Sequence, residues 1–385
     1  MFSVALLCSV ALLFTEPVNS SHSSPFPVNE NLGTVLKESG LDNNRERAII
    51  LSGFPSEPLT IDSAFLCDEN IQPVLPNNKE CLCDKDPTCR ACFHKRIEHN
   101  ENLRSALAAT ELQRKLRLRK WFPKGKRGIK SIIVSAVNYG QLYLFLNWAC
   151  SCIENKVFDP REYMWIVPTD IDTYTVLKKF GFNAEPLGWM TNKLHVSKKY
   201  IPFKANVGAH SDINNVILAA TSLGLQLGYH VLMMDVDVVF LRNPFPVLEK
   251  AVARRDFLGM HAPRVDSLGF INTGFIYFAP TDKTLIFVKS LENLYLLKTH
   301  SDQSLFNSVL RHPSFQQLDF RILPRQLFFS LWRSLYKYGF NENTTLAVHA
   351  IGVRKMEKFQ KYGFWHFVPE KCEFYDREFP GPEKF

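Results

Sequence analysis

The chain has 385 residues, 46% of them hydrophobic and 13% aromatic, with a formal net charge of +8. That composition excludes a disordered chain, and the length suffices for one large domain plus an appendage. The charge is local: residues 112–130 hold nine Lys or Arg and no acid, so the rest of the chain sums to about −1 (8 − 9). The basic segment reads either as a solvated helix and linker or as a contact for an acidic partner, such as a sulfated glycan or a lumenal membrane surface.

At the N-terminus, the apolar run of residues 4–14 is shorter than the roughly 20 residues a membrane span needs. With Val18 and Ser20 placed as small residues before a cleavage point, residues 1–20 read as a secretory signal peptide, although no Lys or Arg precedes the run. A short signal anchor is the alternative. No transmembrane segment is expected in the mature chain. Residues 21–125 form a stem that is first Pro-rich, with a helix expected near residues 43–51, and then cysteine-rich. Cys67, Cys81, Cys83, Cys89 and Cys92 crowd one segment, which in a secreted chain implies disulfides more readily than zinc. Five is odd, so one of them is expected to pair with Cys150, Cys152 or Cys372. An N-glycosylation sequon at Asn343 agrees with lumenal exposure, and in that compartment no nucleic-acid partner is expected.

A helix is expected over about residues 98–120, ending before Pro123. Thereafter strands alternate with helices. IIVSAV, within residues 129–137, is a β-branched run buried on both faces, followed by a helical pattern through Trp148. YMWIVP (163–168) is a second strand and residues 172–180 the helix after it. Residues 211–227 form a helix ending at Gly228, HVLMMDV (230–236) a strand, and FINTGFIYFAP (270–280) another. The alternation predicts an α/β domain, a mostly parallel sheet between helices, over residues 126–369, with 370–385 as a tail.

HVLMMDVDVVFLRNPF puts Asp235 and Asp237 inside an apolar run. Buried carboxylates are costly unless paired, and on a strand two residues apart they face the same side. A divalent cation held at the carboxyl end of a parallel strand would offset their repulsion, and hard oxygen ligands suit Mn²⁺ or Mg²⁺. Backbone amides or Arg242 could pair them instead. A phosphatase reading of DVDVV requires a later acidic pair, and only isolated acids follow.

VLMMDVDVVFLRNPF, FINTGFIYFAPT and HSDQSLFNSVLRHPSF, in that order, resemble the nucleotide-diphospho-sugar transferase family, which has the Rossmann-like GT-A fold. HAIGVRK (349–355) is similar to the closing motif of glycogenin-like retaining transferases. The resemblance covers residues 128–369 and implies site roles. Asp235, Asp237 and His349 would hold the metal. Asp235 would also approach the donor, Lys355 would clamp the diphosphate, and Gly352 would let the backbone come close. Asn272, Asp302 and Gln303 would be the catalytic side chains around the sugar. The end of the first strand, from Ser135 through Val137 and Asn138, would hold the nucleotide base, for which Asp170 is a poorer candidate. Two departures stand out: the helix before Asp235 has no Lys or Arg, and Ile351 occupies a position that is Asn in the plant members.

The resemblance implies a metal-dependent, retaining hexosyl- or pentosyltransferase in the Golgi or ER lumen, or secreted. It would move sugar from a UDP-sugar to a glycan or glycoprotein. The alternative is an inactive GT-A-fold protein that binds glycan or nucleotide.

Overall fold

The computed structural model describes residues 111–122, 131–185, 208–262, 271–297, 302–330, 340–351, 354–369 and 371–375. The signal segment, the helix expected near residues 43–51, the cysteine cluster and Gly352 lie outside the described residues.

A seven-stranded sheet contains β1 (Ser131–Val137), β2 (Met164–Pro168), β3 (Asn183–Ala184), β4 (His230–Met234), β6 (Phe257–His261), β7 (Ile271–Phe278) and β8 (Phe320–Ile322), in the order β3-β2-β1-β4-β7-β6-β8. Only β7 is reversed; it runs antiparallel to both β4 and β6, while every other neighbouring pair is parallel. The expected mostly parallel α/β architecture is therefore the one observed.

All seven residues of β1 are buried, because helices cover both faces of the sheet. On one face Ile132, Val134 and Ala136 join a core with side chains of α5 (Gly208–Gln226), α7 (Asp282–Leu297) and α8 (Asp302–Leu310). On the other, Ile133 and Val137 join a core with α2 (Leu142–Glu154). Each fully buried Ile or Val contributes about 1.5–3 kcal/mol, which is why a continuous apolar run is stable here. The remaining helices are α1 (Glu111–Trp121), α3 (Pro160–Tyr163), α4 (Ile171–Lys179), α6 (Phe245–Val252) and α9 (Lys355–Lys361). Gly228, at φ 75, makes the turn from α5 into β4. No helix among the described residues is long and apolar enough to cross a membrane.

A smaller sheet, β5-β10-β9, stands beside the first and comprises β5 (Val238–Phe240), β9 (Phe328–Ser330) and β10 (Ala347–His349). β10 is antiparallel to β5 and parallel to β9. α2 backs this sheet: Trp148 meets Phe240 edge-on at 5.8 Å, and Asn155 Nδ2 donates to Phe240 O at 2.8 Å.

Both flanks of the expected domain pack into it. In α1, Leu118 and the following Phe122 are fully buried, and Arg117 pairs with the buried Glu185 at 2.9 Å. In the described part of the basic segment Arg114 and Lys115 are buried while Arg117 and Lys120 are exposed, so this helix is solvated on one face only. At the other end Cys372 and Phe374 enter the core. The expectation that the odd N-terminal cysteine pairs with Cys150, Cys152 or Cys372 is not met: Cys150 is bonded to Cys372, and Cys152 is a buried free thiol. Two positions apart on α2, these cysteines point about 200° apart, so only one can face the C-terminal segment.

Candidate active site

β4 ends at Met234, two residues short of the expected strand, and the chain crosses to β5 through Asp235, Val236 and Asp237. The two carboxylates therefore converge at a crossing between two sheets rather than along one strand. Asp235 keeps part of the ladder, its N–H donating to Gly274 O at 3.0 Å, and leaves 49% of its side chain exposed. Asp237 is buried, 1% exposed. β10 supplies the third group because its register sets His349 opposite Val238. His349 Nε2 lies 3.2 Å from Asp237 Oδ1 and 3.6 Å from Asp235 Oδ2. One ligand atom from each of the three residues fits within 4.8 Å of the others. Lys355, the first residue of α9, reaches Asp237 Oδ2 at 2.9 Å.

Gly274 makes this convergence possible. A Cβ there would fall within 3.0 Å of both His349 Cε1 and the Asp235 carboxylate, so any larger residue would occupy the space where the two meet. The electrostatics are uneven. Crowding by protein around its half-exposed side chain and then the neighbouring Asp237 charge raise the Asp235 carboxyl above the usual carboxylate range. Burial opposes ionisation of Asp237 too, but Lys355 and His349 outweigh it and hold that carboxyl well below the usual range. Two carboxylates and an imidazole around a glycine-lined gap fit a divalent cation: the oxygens suit Mn²⁺ or Mg²⁺, and the nitrogen favours the transition ion.

The start of α8 is tied to β7 next to Gly274, which brings Asn272 to Gln303 and Thr273 to Asp302. Thr273 Oγ1 donates to Asp302 Oδ2 at 2.7 Å, Asn272 Nδ2 donates to Gln303 Oε1 at 3.0 Å, and Asn272 Oδ1 accepts from Gly274 N at 3.0 Å. The charge of Asp302 is felt at Asp235. Buried Asn307, one turn beyond Gln303, completes the clasp. Its Oδ1 accepts from Ile271 N at 2.9 Å, while its Nδ2 donates to Ile271 O at 2.8 Å and to Gln303 O at 2.7 Å. A cleft lined by Ile217, Met233 and Leu305 is lined also by Asp235, Thr273 and Asp302.

The residues expected at the nucleotide base all lie buried at or just past the end of β1. Ser135 and Val137 are fully buried within β1, whose parallel register with β4 brings the end of β1 alongside the residues that lead into Asp235. Asn138, just past the strand, accepts from Gln141 N at 3.0 Å and so caps the turn formed by Tyr139–Gln141. Asp170 caps α4 by accepting from Thr173 N at 2.8 Å, and its other oxygen accepts from Tyr139 N at 2.7 Å. It thereby fixes the loop after β1. Asn343 sits on an exposed turn.

Sequence reasoning missed Thr273, Asn307 and Lys358. Lys358 Nζ donates to Ile351 O at 2.6 Å. Helical spacing could have found two of them, since Asn307 lies four residues after Gln303 and Lys358 three after Lys355.

A family model described as nucleotide-diphospho-sugar transferase matches residues 164–361, just over half of the chain. The chain belongs to that family. Membership makes it a glycosyltransferase by family, and the matched span encloses every group of the carboxylate–histidine–lysine cluster and of the Asn272–Gln303 clasp. Beta-arabinofuranosyltransferase RAY1 of Arabidopsis thaliana is 24% identical over 165 residues, 41% of this chain and 28% of that protein. Arabinosyltransferase RRA2 of Arabidopsis thaliana is 30% identical over 111 residues, 23% of this chain and 26% of that protein. The chain thus spans only 28% and 26% of the lengths of these two relatives. Among solved structures, galactosyltransferase LgtC with donor and acceptor sugar analogs covers 62% of this chain and 98% of its own, at 14% identity and a TM-score of 0.34. Mouse xyloside xylosyltransferase 1 covers 58% and 97%, at 12% identity and 0.36.

Proposed function

We propose that this nucleotide-diphospho-sugar transferase is a metal-dependent glycosyltransferase that moves a sugar from a UDP-sugar to a glycan or glycoprotein in the secretory pathway. The observation that carries the reading is the convergence of Asp235, Asp237 and His349 with Lys355 beside them. Those three side chains would hold Mn²⁺, or Mg²⁺, which when bound would neutralise charge on the diphosphate. Lys355 would donate to a phosphate oxygen once Asp237 is engaged by the ion.

The bond from the sugar's anomeric carbon to the diphosphate oxygen breaks, and a bond from an acceptor hydroxyl oxygen to that carbon forms. The hydroxyl proton leaves with the departing diphosphate. Asp302 and Gln303, held by Thr273 and Asn272, would position the sugar. Catalysis rests mainly on positioning and electrostatic stabilisation. Retention of anomeric configuration follows the resemblance to retaining transferases, and the names of the Arabidopsis relatives favour a pentose such as arabinose as the sugar moved. The base would be met at the end of β1, from Ser135 through Val137 and Asn138. The N-terminal apolar run, the sequon at Asn343 and the Cys150–Cys372 bond support a lumenal site of action.

Thermal denaturation with Mn²⁺, with UDP and with both tests the reading, GDP and ADP serving as controls. Ligand at about 100 times its dissociation constant stabilises by roughly 2.7 kcal/mol, a shift of several degrees. The shift is expected only with Mn²⁺ and UDP together, and Asp237→Ala should abolish both it and turnover while the protein remains folded. A folded variant that keeps metal-dependent activity would refute the metal assignment. No shift with any nucleotide would leave an inactive glycan-binding protein.

A further inference from the structure

From β4, which leads into Asp235, the large sheet continues outward through β7, β6 and β8. Asn272 on β7 lies opposite Met260, and the next residue of β6, His261, lies opposite Ile271. Neighbouring strands stand about 4.8 Å apart, so β6 runs roughly 10 Å from β4 with β7 between them. The smaller sheet reaches the same point. Ser330 pairs in register with His349, and its hydroxyl donates to His261 O at 3.3 Å. His261 thus belongs to the rim that carries Asn272 and His349.

Arg325 meets His261 there. It sits in a turn after β8 where Leu323 N–H donates to Gly259 O at 2.8 Å and Phe328 N–H donates to Pro324 O at 3.0 Å. Arg325 Nη2 lies 3.0 Å from His261 Nδ1 and 2.6 Å from Nε2, and both residues are half-buried. Burial and then the Arg325 charge push the His261 ring down from the ordinary histidine range, so a neutral ring faces the guanidinium. Arg117, Arg161 and Arg255 each meet a carboxylate. Among the described residues none pairs with Arg325.

We infer that Arg325, held by His261, binds a carboxylate or sulfate group of the acceptor, which makes the acceptor an acidic glycan. In the reading above, the diphosphate lies at Asp235, Asp237 and His349 and the donor sugar at Asn272 and Gln303. The next place along the rim then falls to the acceptor. A guanidinium offers such an anion two parallel N–H bonds, and a partly buried one is screened less than one on the surface. Assignment to the acceptor rests on the proposed transferase site; the anion contact does not.

NMR of the full chain with isotope-labelled histidine is the measurement, with Mg²⁺ in place of paramagnetic Mn²⁺ and His261→Gln identifying the His261 signal. Methyl glucuronide is compared with methyl glucoside, the same ring without the acid, and a sulfated glucose separates sulfate from carboxylate. At least one acidic sugar should half-saturate the His261 shift at a concentration about tenfold below the glucoside, as one charge-assisted hydrogen bond supplies. Arg325→Met should erase that difference, and Arg325→Lys should keep part of it. Acidic and neutral sugars acting alike on the unaltered chain, or a His261 signal that neither moves, would overturn the inference whatever the variants do. UDP with Mg²⁺ should leave the acidic sugar bound, and its displacement would put the anion in the donor's place and overturn the acceptor assignment. If the unaltered chain binds no UDP, the donor site fails, while the sugar titration still decides the anion contact.

Discussion

The two ends of β1 and β4 both carry buried polar groups, and they differ in how those groups are satisfied. At the amino end Ser131 pairs in register with His230. Ser131 Oγ donates to Glu249 Oε1 at 2.6 Å and lies 2.7 Å from Tyr277 OH, while the His230 ring stacks on Tyr277 at 5.7 Å. A hydroxyl, a phenol and one carboxylate answer one another there. At the carboxyl end, Asp235 and Asp237 share His349 and Lys355, and the Asp235 carboxyl is raised above the usual carboxylate range. At the amino end Ser131, Tyr277 and Glu249 hydrogen-bond among themselves. The carboxyl end carries charge that its neighbours do not fully balance, and this, rather than burial of polar atoms, marks the site.

Substitutions at the two ends should separate these roles. Gly274→Ala is expected to have the largest effect. Its Cβ would strike both Asp235 and His349, so the Mn²⁺-dependent thermal shift with UDP should vanish, at a stability cost of about 1–3 kcal/mol from overpacking. A variant that keeps the shift would show that the close approach is not needed for the metal. Asn307→Ala comes next. It leaves Ile271 N–H and C=O without their side-chain partner and loosens the helix that holds Asp302 and Gln303. kcat should fall on the order of tenfold to a hundredfold while UDP affinity with Mn²⁺ stays the same. Val309→Ala, on the same helix and fully buried, is the control for packing alone. Equal kcat losses in the two variants would reduce Asn307 to a packing residue. Ser131→Ala should matter least: about 1 kcal/mol of stability, read as a Tm shift of a few degrees, and no change in UDP affinity. A change in affinity there would mean that the two ends are coupled through the sheet.

Much of this was legible in the chain because its signals are local. The β-branched run of β1, the helix that closes at Gly228 and the apolar run into Asp235 each follow from neighbours in sequence. Asp237, His349 and Lys355 were legible through residue type and motif order, and they do meet. Asp235 and Asp237 converge for a reason other than strand alternation, because the chain changes sheets between them. The burial of Arg114 and Lys115 was not legible either, since a basic run in sequence carries no sign of what will cover it.

The sequence by itself determined the alternation of strands and helices and the residue types available for metal and phosphate. The tertiary structure decided the rest: that β10 sets His349 against Asp237, that Gly274 leaves room for the pair, that Asn307 ties α8 to the start of β7, and that Cys150 rather than Cys152 meets Cys372. Each of these contacts joins residues far apart in the chain. Their geometry comes from register between strands and from the direction a helix turns its side chains, and neither is written in the spacing of any one segment.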